Sequence, residues 1–191
     1  MSFVIGIGGG SGSGKSTVAE LVARSLEPRS VSIVHLDRFF KPPDEMPTYH
    51  STLHNGPRPD FNHPRSFDLT EMLTMCRSPT GDQVVIMEGI LALHFDELRA
   101  LMDLRCYVTI EIDEMLRRRT ARNLAAGYGG TANEIDFYNR DCVQPQHLRF
   151  NRPSADHAEV LIPNDGPPSA ERERAILEIC RRVRARSPDR S

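Results

Sequence analysis

The octapeptide Gly9-Gly10-Ser11-Gly12-Ser13-Gly14-Lys15-Ser16 leaves this 191-residue chain few ways to fold. It fits G-x-x-x-x-G-K-[ST] at every fixed position. An apolar strand candidate, Phe3–Gly8, precedes it, and a helix begins at Lys15. Glycines let the backbone turn tightly and aim several N–H groups at one anion, and the helix N-terminus adds its partial positive charge. The loop Gly9–Thr17 is therefore expected to cradle the phosphates of ATP. Lys15 would reach the β- and γ-phosphates and Ser16 would ligate Mg²⁺.

Strand and helix patterns alternate behind this loop. Val31–Leu36, Val84–Met87, Cys106–Ile112 and Val160–Ile162 read as further strands. Helices are expected from Lys15 through Leu26 and at Leu69–Cys76, Glu114–Asn123, Glu134–Cys142 and Ala170–Arg184, the last capped by Ser169. Met72, Leu73 and Met75 should pack their helix on the core, and Asp113 reads as a helix N-cap. The pattern predicts an α/β fold of the P-loop NTPase type, with a parallel sheet of about five strands flanked by helices and a short lid. At this length residues 1–191 are expected to form one domain.

Two stretches break the rhythm. Lys41–Pro64 holds six prolines and the histidines His50, His54 and His63, and a connection of that length is usually functional or disordered. The histidine spacing matches no common zinc pattern. Ala125–Ala132 reads as a glycine-rich mobile loop, and Ser187–Ser191 as a frayed tail.

With 24 Lys+Arg against 26 Asp+Glu, the chain has a formal charge of −2 and no broad basic face for duplex nucleic acid. No apolar run is long enough for a membrane span, and the N-terminus does not read as a signal peptide. Cys76, Cys106, Cys142 and Cys180 are scattered, which suits reduced thiols in a cytoplasm. Oligomeric state stays open, a homo-oligomer included.

A phosphate loop does not name a reaction. The GTPase strings N-K-x-D and D-x-x-G and the transporter string L-S-G-G-Q are missing from the sequence, which leaves the small-molecule kinases. These need a base and a metal-shell carboxylate, and in a parallel sheet both belong beyond the C-terminal strand ends. Asp37 follows the second strand and Glu88 the third, so Asp37 is the candidate base and Glu88 the metal-shell residue. Arg118, Arg119 and Arg122 share a helix before the glycine-rich loop, where guanidinium forks suit phosphate.

Together these residues resemble the uridine kinase, phosphoribulokinase and nicotinamide riboside kinase group. The likeness covers most of the chain. It rests on the phosphate loop, Asp37-Arg38-Phe39-Phe40, Phe61-Asn62-His63-Pro64 with Phe67-Asp68, and Glu88-Gly89-Ile90-Leu91. Pro145, Phe150, Pro153 and Ala158–Pro163 extend it. The resemblance implies that Asp37 takes the proton of an acceptor 5′-hydroxyl, with Lys15 and Arg122 also catalytic. It implies that Arg118 serves ATP, that Phe40, Asn62, His63 and Arg119 serve the acceptor, and that a nucleoside of uridine or cytidine type is that acceptor. Residues 38–68 would form the acceptor loop and about 118–135 the lid. Asn62 stands where the family carries Asp, and only Leu69–Met87 separates the F-D and E-G-I-L segments. The string Asp37–Pro42 is also similar to nicotinamide riboside kinases, so nicotinamide riboside, pantothenate or a sugar are rival acceptors. A nucleotide-binding regulator with little transfer activity is the rival of another class.

Overall fold

The computed structural model describes residues 2–78 and 81–186. The tail expected to fray lies outside them. Five parallel strands form the sheet: β1 (Phe3–Gly9), β2 (Val31–His35), β5 (Val84–Glu88), β6 (Leu104–Thr109) and β7 (Val160–Pro163), in the order β2-β5-β1-β6-β7. Between β2 and β5 come the antiparallel strands β3 (Thr48–Ser51) and β4 (Gly56–Pro59). The helices are α1 (Lys15–Ser25), α2 (Leu69–Arg77), α3 (Asp96–Arg99), α4 (Ile112–Ala126), α5 (Ala132–Tyr138), α6 (Gln144–Gln146) and α7 (Ala170–Arg186).

The expected α/β architecture is present, with shifted ends. β6 stops at Thr109, and Ile112, expected to end the strand, opens α4. Glu111 is the N-cap, so Asp113 sits inside the first turn, where its charge still favours the helix N-terminus. The helix expected over Glu134–Cys142 stops at Tyr138 and gives way to wide π-type turns at Asn139–Val143 and His147–Asn151. Ser169 caps α7, its hydroxyl accepting from Arg172 N–H at 3.2 Å.

β5 shows why the sheet is stable. Val84, Val85, Ile86 and Met87 are all buried because successive side chains enter opposite layers. Val84 and Ile86 join Val18, Val22, Ile179 and Val183 from α1 and α7 on one face. Val85 and Met87 join Phe39, Phe67, Met72 and Leu98 on the other. Met72 is fully buried and Leu73 packs beside it, but Met75 is 42% exposed, a correction to its expected core role. At helical spacing Cys76 follows 72 and 73 onto the inner face and 75 turns outward.

Ile86 pairs with Ile5 and Ile33 on its two sides. Its replacement by alanine should cost about 2–5 kcal/mol of stability, read as a lower urea midpoint at unchanged slope. A loss under about 1 kcal/mol would mean that this layer is loosely packed.

Strand order also builds a site. β1 separates the two halves of the sheet, and the crevice for ligands opens where the order reverses. The ends of β2, β5 and β1 therefore adjoin, with Glu88 in register between Ile7 and His35. No helix among the described residues is long and apolar enough to cross a membrane.

Candidate functional site

Gly12 and Gly14 hold φ of 98° and 90°, which side-chain-bearing residues rarely adopt. Gly14 is the N-cap of α1 and offers no capping side chain, so the first-turn N–H groups stay available to an anion. Lys15, 7% exposed, donates from Nζ to the Gly10 carbonyl at 3.1 Å. Burial pushes its pKa down, opposed by the nearby charges of Asp37 and Glu88.

Ser16 Oγ donates to Glu88 Oε1 at 3.0 Å, and the same oxygen lies 2.6 Å from His35 Nδ1. His35 drew no attention in the sequence. It meets Glu88 only because β2 pairs with β5. The Ser16 hydroxyl and Glu88 carboxylate are hard oxygen donors at one point, the set that Mg²⁺ uses when it keeps most of its waters and binds phosphates. Among the described residues no cluster of three or more His, Cys, Asp or Glu could cage a metal by protein alone. Phosphate cradle and donor pair thus fit a magnesium nucleotide.

Asp37 sits in the 3₁₀ turn Leu36–Phe39 directly after β2. It is exposed along one side, yet protein crowds it enough that burial raises its pKa. Lys15 counters that rise, Glu88 adds to it, and the Ile90 N–H and Arg122 counter it further. Gly89 makes this approach feasible, since a Cβ there would stand 2.8 Å from Leu36 Cβ.

The three arginines have different surroundings. Arg122 donates to Ser11 Oγ in the phosphate loop at 3.3 Å. Arg118 bridges Glu114, at 2.7 Å, and the Asn164 carbonyl, at 2.8 Å, while Asn164 Nδ2 donates to the Ser13 carbonyl at 2.7 Å. Arg119 is buried, donates to Asn139 Oδ1 at 2.5 Å and lies 5.1 Å over the Tyr138 ring. Arg122 thus reaches the loop itself, Arg118 braces it from behind, and Arg119 ties α4 to the segment after α5.

A small cavity of about 10 Å³, room for about one water, lies between Ser11, Asn62, Ile90, Gln146, His147 and Asn151. Asn62 lines it. His63 does not, and instead packs on Phe150 with ring centroids 5.0 Å apart. Phe40 stacks against Phe67 at 4.4 Å and meets Phe61 edge-on at 5.4 Å. Asn151 donates to the carbonyls of Gly9, at 3.1 Å, and Ile90, joining the phosphate loop to the turn beside Asp37. His147 lies against Gly10, and burial pushes its ring down to about 4, so it is neutral. Its Nδ1 is buried without a hydrogen-bond partner among the described residues. Gln146, His147 and Asn151 were not foreseen, because two of them ride on π-type turns that give no 3.6-residue signal. The Lys41–Pro64 stretch contains the β3–β4 hairpin, whose Thr52 donates to Asp141 at 2.7 and 2.8 Å. A larger groove lined by Asp113, Arg117, Asp136 and Arg140 contains none of the candidate site residues.

The model of the Phosphoribulokinase / Uridine kinase family matches residues 44–167. A uridine kinase of Macrococcus caseolyticus is 32% identical over 188 residues, covering 85% of this chain and 88% of that protein. Among solved structures, shikimate kinase from Acinetobacter baumannii in complex with shikimate superposes with a TM-score of 0.55 at 17% identity, over 99% of this chain and 97% of that one. A structure described as a possible uridine kinase from Bacillus stearothermophilus gives 0.55 at 14% identity, over 84% and 88%. At these identities the two structures establish a shared fold.

Proposed function

The chain belongs to the phosphoribulokinase / uridine kinase family, and from that premise we propose that it transfers the γ-phosphoryl group of ATP to the 5′-hydroxyl of a pyrimidine nucleoside. It is a P-loop kinase, a phosphotransferase acting on a hydroxyl. The observation that carries the finer reading is the meeting of Lys15, Asp37 and Glu88 beside the phosphate loop, where the charges of Asp37 and Glu88 act on Lys15 and those of Lys15 and Glu88 act on Asp37.

In this reading Gly9–Thr17 hold the triphosphate and Lys15 faces its terminal phosphates. Magnesium, when bound, neutralises charge on the β- and γ-phosphates. Ser16 and Glu88 would hold it. Asp37 accepts the acceptor's hydroxyl proton as the oxygen attacks in line, and Arg122 stabilises the transferring group. Phe40 and Asn62 shape the acceptor pocket. Residues 118–135 serve as lid, 38–68 as acceptor loop, and the whole is one cytoplasmic kinase domain. Catalysis comes from positioning and charge neutralisation.

A panel of uridine, cytidine, nicotinamide riboside and pantothenate, with ADP release as the readout, tests this. Uridine or cytidine should exceed the other acceptors at least about tenfold in kcat/KM, the scale of one good discriminating contact. EDTA should abolish transfer and added Mg²⁺ restore it. Background rates with both pyrimidine nucleosides would remove the pyrimidine assignment, and background rates with every acceptor would favour the regulator.

A further inference from the structure

Asn151 is 4% exposed and spends both ends of its amide inside the protein. Nδ2 donates to the Gly9 carbonyl at 3.1 Å and to the Ile90 carbonyl. Oδ1 accepts from Tyr107 Oη at 2.5 Å. The direction of the amide follows from chemistry. A carbonyl has no proton to give, so only the NH₂ end can face Gly9 and Ile90. Tyr107 is buried in β6, in register with Gly8 and Leu161. Burial pushes its pKa up, so the hydroxyl keeps the proton that it donates. The Asn151 backbone is held as well, its carbonyl accepting from the buried Ser154 Oγ at 2.6 Å.

The two carbonyls belong to two sides of the site. Gly9 ends β1 and opens the phosphate loop, and the next carbonyl, that of Gly10, accepts from Lys15 Nζ at 3.1 Å. Ile90 stands just beyond β5, and its N–H hydrogen-bonds the Asp37 carboxylate. β5 lies between β1 and β2, so the phosphate loop and Asp37 leave the sheet from strands that are not neighbours. Strand pairing ends before either of them, and their separation depends on side chains that cross the gap. Ser16 and Glu88 cross it at 3.0 Å, but in the reading above those oxygens serve the metal. Asn151 crosses it with one amide that grips a carbonyl on each side.

We propose that Asn151 is a positioning residue that sets the separation between the phosphate loop and Asp37, acting through Gly9 and Ile90, with Tyr107 fixing the direction of its amide. The assignment rests on the reading of Asp37 as the base. Transfer needs reacting atoms about 3–3.5 Å apart, and misplacement by about 1 Å can cost about 10²-fold. A rigid amide between the two halves supplies that precision without contacting the reacting atoms.

Asn151→Ala tests it. The space left is bordered by two carbonyls and a hydroxyl, enough partners for a water, so the fold is kept while the rigid link is lost. The expected result is a fall in kcat of about 10- to 10²-fold. The Kd for ATP should stay within about threefold, since the loop's own N–H groups and Lys15 hold the phosphates. The decisive comparison is the Asp37→Asn background. No base remains there to be placed, so adding Asn151→Ala should lower kcat by less than about threefold further. If Asn151→Ala gives no cooperative urea transition, Tyr107→Phe carries the same cycle. It removes the donor to Oδ1 and should lower kcat by about threefold to tenfold, a loss that again vanishes beside Asp37→Asn. Equal losses in the wild-type and Asp37→Asn backgrounds, or a loss confined to ATP affinity, would overturn the assignment and leave Asp37 as the base. So would a kcat within about twofold of wild type in the folded Asn151→Ala protein. A wild-type rate in Asp37→Asn alone would overturn both.

Discussion

Asp37→Asn should lower kcat by about 10²–10⁴-fold while ATP still binds, the range for removing a positioned general base. Asparagine keeps an oxygen for the Ile90 N–H, so the turn after β2 is retained and the loss reports chemistry. The pH profile separates base from scaffold. In the proposed role transfer needs the ionised carboxylate, so the wild-type rate should fall as pH drops through the Asp37 pKa. Burial raises that pKa above its ordinary value, and the raised carboxyl shifts the acid limb upward in pH from where a free aspartate would titrate. In Asp37→Asn the limb should vanish along with most of the rate. A variant within about threefold of wild type, or one with the same acid limb, would remove Asp37 from the chemistry.

Lys15→Met carries the second large effect. Loss of the charge proposed to face the terminal phosphates should reduce kcat/KM by about 10²–10³-fold, comparable to losing one donor aimed at developing negative charge. Stability should move the other way. The folded pKa of Lys15 is lowered, so its charged form is disfavoured by the fold even with Asp37 and Glu88 nearby. That cost is present below the folded pKa and disappears once pH rises above the unfolded value. Methionine has similar length and no charge to bury. At neutral pH the variant should therefore melt at or above the wild-type temperature, and the gap should close in alkali. Scanning calorimetry at two pH values, beside single-turnover transfer, reads both effects. Joint loss of melting temperature and activity would mean that Lys15 holds the loop together and does not act on phosphate.

Much of this site was legible in advance. The phosphate loop carries its own glycine spacing, and the apolar runs mark where strands end, so Asp37 and Glu88 stood out as carboxylates at strand termini. The β3–β4 hairpin did not. Pro57 and Pro59 lie in β4, where missing N–H groups argue against a strand, but a two-stranded ribbon has only edges and tolerates them. The arginines illustrate a second limit. Helical spacing puts Arg118 and Arg122 on one face with Arg119 beside Arg122, yet one braces Asn164, one is buried against Asn139, and one touches Ser11. Helical spacing gives the face of a residue and not what will pack against it.

By itself the sequence determined the α/β layering, the phosphate loop on α1 and the two strand-end carboxylates, because each depends on short-range spacing. Only the tertiary structure decided the order β2-β5-β1, and with it the meeting of His35, Glu88 and Ser16 from three separate segments. It alone brought Asp60 beneath Asn62, Cys142 and Gln146, up to 86 positions apart in the chain. The reason is physical. A buried carboxylate must find its donors wherever packing delivers them, and packing across the sheet leaves no periodic trace in the sequence.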